Sequence, residues 1–173
     1  MTPYSTRLWD SRIPEYVKKL SEKHWKLTIL DVWAWAGKRA KLLKDHYALI
    51  DAVEIFGPYI EEFKLDELYS EIYNIDIMDF DPEEFGSYDL VILWDILEHL
   101  SIHNAQILIE RLKKARADVF VMVPFETEQW ECYDNIYETH LQPDLTEEVM
   151  DERYPELEKV FVEWRFWFYK LKY

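Results

Sequence analysis

Four carboxylates stand where apolar runs give out. They are Asp31 after Leu27-Thr28-Ile29-Leu30, Glu54 after Asp51-Ala52-Val53, Asp76 within Asn74-Ile75-Asp76-Ile77, and Asp95 directly after Trp94. An ionised carboxylate accepts hydrogen bonds and donates none. Glu54 therefore suits the two hydroxyls of a ribose, and Asp76 an exocyclic amine whose purine ring Ile77 would sandwich. Asp95 opens Asp95-Ile96-Leu97-Glu98-His99-Leu100, where His99 offers either a general base or a structural residue at a helix start. Farther on, Cys132 to His140 supplies Tyr137, Glu138 and His140, which could orient a substrate or form a solvated polar loop. Cys132 and His140 would make a nucleophile pair only if the fold joined them. Three indoles lie among these groups: Trp33 and Trp35 in Trp33-Ala34-Trp35-Ala36-Gly37, and Trp94.

Such residues work together only if strand ends collect them. Near-continuous apolar runs at 27–33, 48–55, 71–76, 88–94 and 119–124 predict buried strands. Helices are predicted over 37–45, 58–65 and 102–115, the last through Ala105, Leu108, Ile109 and Leu112, and a helical segment over residues 1–26 through Ile13, Tyr16, Val17 and Leu20. Alternation of this kind gives a mostly parallel sheet with helices on both faces, whose ligands lie beyond the carboxyl ends of the strands. An apolar strand closing on Asp31, a short turn and a helix is the frame of a nucleotide-binding βαβ unit. The tail from Leu157 to Tyr173 alternates Val160, Val162, Trp164 and Phe166 with Phe161, Trp167 and Tyr169. It predicts one long or two short antiparallel strands at one side of the sheet. Lys38, Arg39, Lys41 and Lys44 are expected on a solvated helix face.

In combination, Leu30-Asp31-Val32, Val53-Glu54, Asn74-Ile75-Asp76, Phe85-Gly86-Ser87-Tyr88-Asp89-Leu90-Val91, Asp95 and Glu98-His99-Leu100 resemble the class I S-adenosylmethionine-dependent methyltransferases, over roughly residues 27 to 124. The resemblance implies a doubly wound, Rossmann-like α/β domain spanning 1–173, with the cofactor core at 27–124 and a substrate-side region at 125–173. It implies S-adenosylmethionine as cofactor, its methionine end over Asp31 to Gly37, its ribose on Glu54 and its adenine beside Asp76 and Ile77. Asp95, His99 or Tyr137 would then position or deprotonate a methyl acceptor held in line with the sulfonium carbon.

The chain departs from the family's D-x-G-x-G-x-G at two glycines, because positions 33 and 35 hold indoles and Gly37 alone keeps the pattern. A tryptophan brings roughly 150–250 Å² of surface and resists positive φ, so the turn is expected to reshape. Trp33, Trp35 and Trp94 are expected to block or rebuild the cofactor site, and a fully blocked site would leave no cofactor at all. The alternative is a non-enzymatic or engineered scaffold whose indole-lined crevice binds a small flat hydrophobic molecule or a protein partner.

Composition narrows the classes further. A net charge of −15 over 173 residues argues against nucleic acid or an anionic membrane surface as partner. Cys132, the one cysteine, excludes an internal disulfide, and His24, His46, His99, His103 and His140 show no metal-ligand spacing, so no metal is expected. The chain carries neither a signal peptide nor a membrane-length apolar run and reads as cytoplasmic.

Overall fold

The computed structural model describes residues 12–24, 26–163 and 166–172. The helical run expected before Arg12, and Trp164 in the alternating tail, lie outside the described residues. Helix α1 (Arg12–His24) buries Ile13 and Val17. There follow β1 (Leu27–Val32), α2 (Lys38–Leu43), β2 (Tyr47–Val53), α3 (Gly57–Glu62), β3 (Ile72–Tyr73), β4 (Leu90–Trp94), α4 (Ile102–Ala115), β5 (Asp118–Pro124), α5 (Glu147–Arg153), β6 (Leu157–Glu163) and β7 (Phe166–Leu171).

The seven strands form one sheet in the order β3-β2-β1-β4-β5-β7-β6. Strands β1 to β5 run parallel, while β7 is antiparallel to both β5 and β6. The chain winds outward from β1 to β3, then crosses back to lay β4 on the other side of β1. The switch point therefore falls between β1 and β4, where a crevice must open at their carboxyl ends. Register brings those ends level, with Val32 opposite both Val53 and Leu93. Apolar side chains on the two faces of the sheet form separate clusters. One gathers α4 and α5 through Ala105, Leu108, Ile109, Leu112 and Met150, and the other gathers α1 and α2 through Ile13, Val17, Ala40 and Leu43.

Several elements differ from expectation. Strand β3 keeps two residues because Asp76 leaves the sheet to cap a 3-10 turn, Ile77–Asp79, accepting from the Met78 amide at 2.9 Å. Helix α5 had no clear apolar stripe in the sequence, and Thr146 caps it by accepting from Val149 at 3.2 Å. The tail is two strands, held by Phe161 stacked on Phe168 at 4.8 Å. Gly37 precedes α2 at φ 65°, and a Cβ there would lie 2.2 Å from Leu68 Cδ1. That position admits glycine for both backbone and space. No helix among the described residues is long and apolar enough to cross a membrane.

Candidate functional site

The turn after β1 holds both of its indoles on left-handed backbone. Trp33 has φ 70° and Trp35 φ 45°, so with Gly37 every second residue is left-handed. Glycine reaches that region freely, whereas a bulky residue costs about 1–3 kcal/mol. Hydrogen bonds hold each corner: Trp33 N donates to Val53 O at 2.8 Å, Trp35 N to Glu54 Oε2 at 2.9 Å, and Gly37 N to Ala34 O at 2.8 Å. Glu54 Oε1 accepts from Phe56 N at 2.9 Å. The expected ribose acceptor is thus fully buried, with both oxygens committed to the backbone. Burial pushes its pKa up to about 7, against the lowering by those two amides and by Arg39.

Asp31 is likewise turned inward. Its Oδ1 accepts from Arg39 Nε at 2.7 Å and its Oδ2 from the Tyr69 hydroxyl at 2.5 Å. Arg39 also donates to the Trp33 carbonyl and is 2% exposed, so it leaves the solvated face expected for it. Helix α2 is a short six-residue segment packed against the sheet, and the buried carboxylate draws the guanidinium in. Burial works against both charges. It raises the Asp31 pKa despite Arg39 and Tyr69, whereas for Arg39 the attraction of Asp31, Tyr69 and Asp95 overcomes it and raises the pKa.

Beyond the strand ends, the Trp33 indole lies on the His99 imidazole, with centroids 4.7 Å apart and planes at 19°. This stack borders two cavities. The first, about 260 Å³, is mainly apolar and is walled by Val53, Ile55, Asp76, Ile77 and Ile96. The second, about 250 Å³, is lined by Trp35, Trp94, Asp95, Glu98, Glu138 and His140. Each falls below the roughly 300–1,000 Å³ that buries a drug-sized ligand. Trp94 is buried, with Lys38 Nζ 5.7 Å and Arg39 Cζ 5.6 Å from its ring.

The structure brings the expected residues together in part. Asp76 and Ile77 share the first cavity, and Asp95 and the three indoles border the second, with His99 and Trp33 common to both. Tyr137 is 41% exposed at the first cavity and does not join Asp95 in the second. Cys132 and His140 both line the second.

Sequence reasoning missed the density of ionisable groups there. Glu98 is fully buried and its oxygens meet no hydrogen-bond donor from another residue among those described, as does Asp95 Oδ1. Burial pushes the Asp95 pKa up to about 7, against Arg39 and Lys38, and raises that of Glu98 further with help from Asp95. Burial, then His140, lowers the His99 pKa to about 3, and burial lowers that of His140. Both imidazoles are neutral at pH 7. A carboxylate oxygen of Glu98 and a nitrogen from each ring lie within 4.8 Å of one another. The Glu98-His99 doublet was visible in the sequence, but His140 joins it only through the fold.

No protein-family model matches the sequence, and no curated protein matches it. Solved structures do match in fold. A methyltransferase from Clostridium acetobutylicum, S-adenosylmethionine-dependent, superposes with a TM-score of 0.66 at 10% identity, over 95% of this chain and 96% of its own. The N-methyltransferase NodS from Bradyrhizobium japonicum gives 0.62 at 13%, over 98% and 100%. The 1,6-didemethyltoxoflavin-N1-methyltransferase of Burkholderia thailandensis, solved with bound 1,6-didemethyltoxoflavin and S-adenosylhomocysteine, gives 0.64 at 12%, over 96% and 81%. At these identities the likeness establishes the methyltransferase fold.

Proposed function

We propose that this chain, built on the class I methyltransferase fold, has a donor crevice closed to S-adenosylmethionine in its usual extended pose and rebuilt as two small-molecule cavities. The observation that carries this reading is the Trp33–His99 stack, which lies between the cavity bordered by Asp76 and Ile77, expected at the adenine, and the cavity bordered by Trp35, beside the turn expected at the methionine end. Glu54 supports it, since a ribose would have to break two backbone hydrogen bonds to reach that carboxylate. The first cavity keeps the walls expected for an adenine and suits a flat, largely apolar ring.

S-Adenosylhomocysteine titrated into the native chain, followed by tryptophan fluorescence and calorimetry, should show no saturation up to about 1 mM, an affinity weaker than about −4 kcal/mol. The Trp33→Gly/Trp35→Gly variant should bind at least about 100-fold more tightly, since glycine relieves the left-handed turn and removes the partition. Micromolar binding by the native chain would refute the closed crevice.

A further inference from the structure

We propose that Glu98, His99 and His140 form a binding site for a first-row divalent transition-metal ion, open to the second cavity. The site does not depend on whether the donor crevice is closed.

The residue types and their placement both point to an ion. One carboxylate oxygen and two imidazole nitrogens converge within 4.8 Å from two segments of the chain. Those segments are clamped together: Leu141 N and Gln142 N donate to the Glu98 carbonyl at 2.7 and 3.0 Å, and Gln142 Nε2 donates to Leu97 O at 2.7 Å. Each ring has a carbonyl positioned to take its Nδ1 proton, Thr139 O at 3.2 Å for His99 and Thr127 O at 2.7 Å for His140. Orientation through such a carbonyl fixes the tautomer and leaves the Nε2 lone pair for a metal.

Glu98 supplies the independent observation. It lines the cavity at 0% exposure, yet its oxygens receive no hydrogen bond from another described residue. A buried carboxylate is normally paired, hydrogen-bonded or bound to a metal. Asp95 lines the same cavity and adds a second carboxylate to its wall. Two imidazoles with one carboxylate suit Zn²⁺, Fe²⁺, Co²⁺ or Mn²⁺ better than the all-oxygen sites of Ca²⁺ and Mg²⁺. Metal–ligand bonds of about 2.0–2.2 Å would draw the donor atoms to about 3.3–3.6 Å apart in a tetrahedral site. Three protein ligands leave at least one position open to the cavity.

The test uses the full chain freed of metal by chelation, titrated with Co²⁺ by visible absorption and with Zn²⁺ by calorimetry. One ion should bind per chain, with the ligand-field bands of nitrogen-coordinated Co²⁺. Glu98→Gln and His140→Gln should each weaken binding at least about tenfold, the loss that even an outer-shell change brings, while the exposed His103→Gln leaves it unchanged. A measurement on the native chain guards against variants that fail to fold. Substoichiometric Mn²⁺ should broaden the ring resonances of His99 and His140 before those of His46 and His103. Absence of saturable binding at about 100 µM of either ion, binding indifferent to both variants, or Mn²⁺ broadening elsewhere first would overturn the proposal.

Discussion

Replacing Arg39 by alanine should lower the stability of the folded chain by about 3–5 kcal/mol, the usual cost of leaving one member of a buried ion pair alone. That is a large share of the roughly 5–15 kcal/mol that holds a domain together. Asp31, fully buried, would keep the Tyr69 hydroxyl as a donor but lose the guanidinium, as would the Trp33 carbonyl. Lysine should not rescue the loss, because an ammonium cannot reproduce a planar fork reaching two acceptors. The double variant Asp31→Asn/Arg39→Met should cost clearly less than the sum of its single changes, since it removes both charges together. Urea unfolding followed by circular dichroism measures the native chain, Arg39→Ala, Arg39→Lys, Asp31→Asn, Arg39→Met and the double variant. A loss below about 1 kcal/mol for Arg39→Ala would return this residue to the solvated helix face.

Glu54 should make the metal-free protein less stable as pH rises. Its pKa is raised from 4.5 in the unfolded chain to about 7 in the fold, chiefly by burial. The folded state therefore binds the extra proton. The stabilisation is fully present below pH 4.5 and is lost as pH climbs to about 7. The shift corresponds to about 3 kcal/mol at this one group. Glu54→Gln, which stays neutral, should be less stable than the native chain at pH 5, having exchanged an acceptor for an amide against a backbone N–H. The gap should narrow by pH 8. Urea midpoints across that range decide it, and a gap independent of pH would mean that Glu54 is ionised throughout.

The parts of the fold that the sequence disclosed are those governed by local pattern. Buried parallel strands read as unbroken apolar runs, and α4 announced itself through Ala105, Leu108, Ile109 and Leu112, ending where it was expected to end. Strand β3 was overread because Asn74 and Asp76 serve backbone groups rather than a ladder: Asn74 Nδ2 donates to Glu54 O at 2.6 Å. The tail hid its two strands because Glu163-Trp164-Arg165-Phe166 contains no turn residue.

The site was legible as a frame and not as chemistry. Asp31, Glu54 and Asp95 do lie at or just beyond strand ends, while Asp76 caps a turn past β3, and the direction each side chain takes is a tertiary matter. Arg39 captures Asp31, backbone amides capture Glu54, and Tyr137 faces a different cavity from Asp95. The turn is the instructive case. Residue type predicted that Trp33 and Trp35 would resist positive φ, yet both adopt it, with hydrogen bonds to Val53 and Glu54 holding the backbone there. Trp33 borders both cavities and Trp35 the second.

The Trp33–His99 stack is the centre of this account, and nuclear Overhauser contacts between the two rings test it most directly. Ring protons of Trp33 and His99 should show mutual contacts in the native chain, and these should persist unchanged when S-adenosylhomocysteine is added to about 1 mM. Contacts that are absent from the free protein, or that vanish as the ligand is added, would mean that the crevice is continuous and open to the donor.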